Sequence, residues 1–212
     1  MAAINRQVFI NCPLDHDYYP LLEAVAFAVC VCGYTPRFPS ERVESGLNRL
    51  SKIVGLIDEC DFSLHDISRT ELNSNQLPRF NMPFELGLAL GRKYSISDGG
   101  AAGLLILDRE PFRYHESFSD ISGCDPLAHY DSPQIAMHRV WKWLVSHDDA
   151  HPVNRDRLVQ GIPVKLQSWL EMFQADMLEV RGRFEGELDD LPLSGLVFSI
   201  RVWLEANTEA LS

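Results

Sequence analysis

The sequence is short of basic residues: its 212 positions hold 19 Lys and Arg against 30 Asp and Glu, a net charge of -11. Affinity for nucleic acid or an anionic membrane draws on clustered cations, so neither is expected as a partner, although a local basic spot could still grip a small anion. No stretch approaches 18 consecutive apolar residues, and no basic N-terminal region leads into an apolar run and a cleavage site. These absences speak against a spanning helix and a secretory leader, and a cytoplasmic protein is the expectation. Disulfide and zinc frameworks are also missing, because Cys12, Cys30, Cys32, Cys60 and Cys124 are odd in number and match neither spacing. Cys30 and Cys32 lie in "AVAFAVCVCG", where thiols buried in an apolar helix are expected. His16, His115, His138, His147 and His151 show no ligand spacing, and "SDGGAAG" precedes a strand instead of linking a strand to a helix, so neither a metal site nor a phosphate loop is read.

What is present is the balance of a globular protein, 46% hydrophobic and 23% charged, in a chain long enough for one domain with an appendage. "RQVFIN" (6 to 11) reads as a buried first strand, and "YYPLLEAVAFAVCVCG" as about four turns of buried helix closed by Gly33. "YTPRF" is a second short strand. A helix follows with Ser40 as cap and Val43, Leu47, Leu50, Val54 and Ile57 at helical spacing. "FSLHDIS" (62 to 68) is the third strand, and a polar loop runs from 69 to about 82. The helix "FELGLALGRKY" follows, then a Gly/Ala linker, then the all-apolar strand "GLLILD" (103 to 108).

Strands and helices thus alternate, the pattern of an α/β protein: a Rossmann-like (flavodoxin-like) parallel sheet with helices on both faces. Ligands in such sheets bind at the carboxyl ends of the strands. Residues 1 to 133 are assigned to this domain, with 109 to 133 as an irregular connection. Residues 134 to 212 are assigned to a C-terminal helical portion, packed on the domain or forming an oligomer face. The stripes holding Trp141, Trp143, Trp169 and Trp203 there read as core or dimer face.

Three loops should converge above the sheet, from Asn11 to Asp17, from Asp66 onward, and at the helix start by Glu85. Asp66 projects at a strand end, although capping a turn is its competing reading. With Met82 as cap and Pro83 first in the helix, Glu85 falls third, where a carboxylate satisfies free backbone N–H groups. That leaves Gly87 and Gly91 unexplained, since each costs about 1 kcal/mol in a helix interior and together they suggest close backbone approach. In "SDISGCDPLAHYDSP", Asp120, Asp125, His129 and Asp131 read as a solvated loop capped by its own side chains.

The succession "LIDECDFSLHDIS" then "FNMPFELGLALG" resembles the nucleoside 2-deoxyribosyltransferase and TIR-like superfamily over about residues 6 to 108. The resemblance implies an enzyme that breaks an N-glycosidic bond without metal or cofactor. Glu85 would be its catalytic carboxylate, and Asp66 an acidic group that contacts sugar or base. Such a carboxylate stabilises the oxocarbenium-like centre or forms an ester with it, as in retaining glycosidases, a role that favours a low pKa. Leu77 to Met82 depart from the Asp-Ser-Gly type segment usual in the deoxyribosyltransferases. Arg79 in that run suits phosphate, which shifts the expected substrate from a free nucleoside to a nucleotide such as NAD. Asn11, Asp15, Arg79 and Asn81 are the expected substrate-binding residues. By the same resemblance the chain would be a homo-oligomer, and bacterial TIR-like enzymes often serve in antiphage defence. The competing expectations are a catalytically silent nucleotide sensor and an assembly module.

Overall fold

The structure is a computed structural model that describes residues 6–41, 46, 48–72, 76–95, 103–116, 118–147, 162–183 and 193–207. Five strands form one all-parallel sheet: β1 (Gln7–Asn11), β2 (Thr35–Arg37), β3 (Phe62–Asp66), β4 (Gly103–Asp108) and β5 (Leu127–Ala128). Their order is β2-β1-β3-β4-β5, the flavodoxin-like arrangement, in which the winding reverses between β1 and β3. The predicted α/β architecture is therefore present. β5 was not predicted; two residues carry no periodicity, and it lies in the stretch read as an irregular connection.

Among the described residues the α-helices are α1 (Tyr19–Val31), α2 (Arg49–Glu59), α3 (Asn81–Ser95), α4 (Pro133–Ser146), α5 (Ile162–Arg183) and α6 (Leu193–Ala206). Among the described residues, no helix is long and apolar enough to cross a membrane. α1 is apolar on every side because it is covered on every side: it lies against the sheet and beneath α4, α5 and α6. Its Phe27 meets Phe173 of α5 and Trp203 of α6 at ring-centroid distances of 5.5 and 5.9 Å. Trp141, Trp143 and Trp203 are buried in this same core, so α4, α5, α6 and the sheet share one apolar interior. The turn that closes α1 contains Gly33, whose φ of 81° is open to glycine at little cost. There Gly33 N donates to the Cys30 carbonyl and Tyr34 N to that of Val29, which satisfies the helix's last carbonyls.

Successive strand side chains point to opposite faces. Val8, Ile10, Phe62, Leu64, Leu105 and Leu107 lie on the α1 face, while Phe9 and Ile106 join the cores on the α2 and α3 face. This parity also sorts the polar residues at the strand ends: Asn11, His65 and Asp108 fall on the α3 face, and Asp66 on the α1 face.

Two helix starts differ from expectation. α2 begins at Arg49, capped by Asn48 through a 2.8 Å bond to Leu50 N, eight residues beyond the predicted cap Ser40. Its buried residues are Ile53 and Leu56, whereas Leu50 and Val54 are exposed. The apolar spacing that predicted this helix thus follows a stripe beside the buried one. Val43, Leu47 and most of the Gly/Ala linker lie outside the described residues. α3 begins at Asn81, because Phe84 N already donates to the Phe80 carbonyl at 2.9 Å. Pro83 remains within the first turn, where its missing N–H has no intrahelical acceptor to lose. Glu85 consequently lies in the second turn, beyond the reach of helix-start capping.

Gly87 and Gly91 are exposed, and a methyl group added to either meets no described residue within 4 Å. The close approach that their spacing suggests is absent among the described residues. Gly87→Ala and Gly91→Ala are therefore each expected to stabilise the protein by about 0.5–1 kcal/mol in urea denaturation. Destabilisation by either would indicate that this helix face is covered in solution.

Candidate active site

The candidate site lies at the carboxyl ends of β1 and β3, where the winding of the sheet reverses. Asn11 ends β1 and pairs in register with His65. The Asn11 Nδ2 donates to the Met82 carbonyl at 2.9 Å and stands 3.0 Å from His65 Nδ1. One buried amide thus ties β1, β3 and the first turn of α3 together. Burial lowers the His65 pKa to about 3, so its ring is neutral and its Nδ1 can accept from Asn11.

Above this tie is a cavity of about 410 Å³, lined by Asn11, Cys12, Arg49, Arg79, Asn81 and Glu85 among others. Glu85 is only 4% exposed, and among the described residues its Oε2 has no hydrogen-bond partner. Burial pushes its pKa from 4.5 up to about 7, against the pull of the Arg49 guanidinium. The low pKa expected of a helix-start carboxylate is not found: the helix starts too early to stabilise the charge. Cys12 is raised far above the usual thiol range by burial and then by the charges of Asp66, Glu85 and Asp15, so it stays a neutral thiol.

Arg79 lines the cavity with its Nη1 2.6 Å from Asp15 Oδ2, an ion pair that joins the loop after β1 to the segment before α3. Asp15 also caps the short 3-10 turn His16–Tyr18 by accepting from Tyr18 N. A phosphate would therefore have to compete with Asp15 for Arg79. Arg49, at the first position of α2, forms no ion pair with another described residue and lines the same cavity.

Asp66 is fully buried on the other face of the sheet. Its Oδ1 accepts from Ser68 N at 2.8 Å, and its Oδ2 accepts from the Tyr18 hydroxyl at 2.5 Å. His129 Nε2 stands 3.2 Å from the same Oδ2, at ion-pair distance but bent away from the best hydrogen-bond line. Burial alone would raise the Asp66 pKa, but contacts with His129, Ser68 and Tyr18 outweigh it and hold the carboxyl below its usual range. His129 Nδ1 accepts from Asp131 N at 3.1 Å, a geometry reached with Tyr130 and Asp131 at φ of 55° and 53°. Left-handed backbone at two consecutive non-glycine residues carries strain that the surrounding structure must hold.

The structure thus brings Asn11, Arg79, Asn81 and Glu85 to one cavity, with Asp15 behind Arg79. It does not bring Asp66 there: that carboxylate anchors Tyr18 and the His129 loop from the opposite face. His65, Cys12 and Arg49 are additions that the sequence reading left out. The Asn11–His65 register and strand parity would have placed His65 on the Glu85 side, but register is not written in a single strand. His129 was read as part of a solvated loop and is fully buried. Among the described residues, no group of three or more His, Cys, Asp or Glu side chains could hold a metal ion. Compared with protein-family models and with curated proteins, the chain matches none.

Proposed function

We propose that the protein cleaves the base–ribose bond of a nucleotide, with NAD as the leading substrate and Glu85 as the carboxylate that stabilises or captures the anomeric carbon. The observation that carries this reading is Glu85 itself: a buried carboxylate on the wall of a cavity, at the reversal point of a parallel sheet, with one oxygen that no described residue partners. A buried acceptor without a partner costs stability, about 1–3 kcal/mol. Such a cost has a ready rationale where positive charge develops during a reaction.

Among the described residues the cavity offers one carboxylate, and Asp66 lies on the opposite face of the sheet. That arrangement suits a leaving group that needs no protonation, and the pyridinium of NAD leaves as a neutral base. Hydrolysis then transfers the ribosyl group to water, and transfer places it on another acceptor. The resemblance of "FNMPFELGLALG" to the deoxyribosyltransferase and TIR-like superfamily supports the same chemistry, and with it a place in antiphage defence.

The test is incubation of the purified chain with NAD and a panel of nucleotides and deoxynucleotides, followed by chromatography for free base. Release from at least one is expected, and release from none removes the reading. Arg49→Ala is expected to raise KM about tenfold or more for phosphorylated substrates, with a smaller change in kcat, because a binding cation is lost. An unchanged KM would assign the phosphate elsewhere.

A second reading, a catalytically silent nucleotide sensor, is favoured by the path of α1. The 3-10 turn that leads into it ends at Tyr18, whose hydroxyl donates to Asp66 at the end of β3, and the length of α1 lies under α4, α5 and α6. A nucleotide that raises Tm without releasing base would support that reading.

A further inference from the structure

A second cavity, about 340 Å³, opens beside the first on the α3 face of the sheet. Pro78 and Phe80 line both, so the segment before α3 is a shared wall. The second cavity differs in chemistry. Ile67, Phe80, Phe84, Tyr114 and Phe118 make it largely aromatic, and Asp108 at the end of β4 supplies a carboxylate.

Asp108 is 1% exposed and its two oxygens are treated differently. Oδ1 accepts from Arg113 Nε at 2.9 Å, from Arg113 Nη2 at 2.7 Å and from Arg109 N at 2.7 Å. Oδ2 accepts from none of the described residues. Arg113 is itself committed, since its Nη2 also donates to the Ile67 and Ser68 carbonyls at 3.0 and 2.7 Å. The pair is held rigidly, with one carboxylate oxygen left over. At the rim, Phe80 and Phe84 are 68% and 56% exposed, although large aromatic rings gain most when covered.

We propose that this cavity binds a flat heteroaromatic ring carrying one exocyclic amino group, of the 6-aminopurine class, with the amine donating to Asp108 Oδ2 and the ring lying against Phe80 and Phe84. A single free oxygen selects a single donor; a ring edge that presents two adjacent donors would leave one unmet. The volume falls within the range of small-molecule sites, and the lining is of the kind such sites have, mostly aromatic with a few fixed polar groups. The inference rests on the reading that the substrate is a nucleotide and deepens it. The two adjoining cavities fit the two ring ends of one dinucleotide, with the scissile sugar at Glu85 and the aminopurine at Asp108.

The experiment is calorimetric titration of the full chain with AMP and with inosine monophosphate, which carries a carbonyl in place of the amine. It is repeated on Phe84→Ala, a surface substitution, and on Glu85→Gln, with circular dichroism to verify folding. AMP is expected to bind wild type and Glu85→Gln alike, inosine monophosphate at least about tenfold more weakly, and Phe84→Ala is expected to lose about tenfold in AMP affinity, the scale of one base–aromatic stack. Equal binding of the two nucleotides, AMP affinity unchanged in Phe84→Ala, or no AMP binding at millimolar concentration would each overturn the inference. Amine-selective binding without base release from any nucleotide would keep this inference and remove the glycosidase reading. Base release with no preference for AMP would do the reverse.

Discussion

Glu85→Gln is expected to reduce base release by about 10³-fold or more while leaving the protein folded, because the amide occupies the same space but cannot bear the charge that the reaction centre requires. A loss of that size is about 4 kcal/mol of transition-state stabilisation. The same substitution makes a prediction about stability that is independent of substrate. The folded-state pKa of Glu85 is raised, so the folded protein holds a proton that the unfolded chain has released between roughly pH 4.5 and 7. The contribution of Glu85 to stability is therefore greatest below 4.5 and is lost as pH rises through about 7, when the charge must be carried in the buried site. Water at the cavity mouth screens part of that cost, leaving roughly 2 kcal/mol. In Glu85→Gln this slope disappears, so its Tm is expected to exceed wild type at pH 8 and to approach it at pH 4.5. A Tm lower than wild type at pH 8 would mean that the carboxylate is partnered after all.

Asp66→Ala is expected to be the most destabilising single change in the sheet, at about 3–5 kcal/mol in urea denaturation. It removes the acceptor for the Tyr18 hydroxyl and Ser68 N and the charge beside His129, all in a fully buried position. The pH dependence runs opposite to that of Glu85. Asp66 is held below its usual carboxylate range, so its contribution is present above that range and is lost as pH falls through the folded-state value. Asp66→Asn keeps the shape and is expected to cost less. Since Asp66 does not reach the Glu85 cavity, whatever fraction of Asp66→Asn remains folded is expected to keep base release within a few-fold of wild type. A loss as large as that of Glu85→Gln, in protein shown to be folded, would return Asp66 to the chemistry.

The contrast between these two carboxylates marks how far the sequence could be read. The alternation of "RQVFIN", "FSLHDIS" and "GLLILD" with apolar helices carried the parallel sheet, and the position of a ligand site at the strand ends follows from that topology. The face of the sheet each side chain occupies depends on parity against neighbouring strands. For that reason the sequence alone groups Asp66 with Glu85 and leaves His65 out. The start of α3 was misplaced because Pro83 suits a first helical position so well. The actual first turn forms two residues earlier, on the Phe80 carbonyl, and Pro83 is tolerated inside it. This shift moves Glu85 out of capping range, so the ordinary explanation for a glutamate there no longer applies. His129 was unreadable for a different reason: β5 is two residues long, and nothing in "AHYDSP" signals that the imidazole turns inward to Asp66.

The pH profile of base release by the wild-type protein tests the role of Glu85 most directly. If Glu85 acts as the ionised carboxylate with the pKa that its burial gives it, kcat/KM should rise with pH through a single group near 7 and level above it. A profile flat from pH 5 to 9, or one that falls through 7, would contradict an ionised Glu85 as the reacting group.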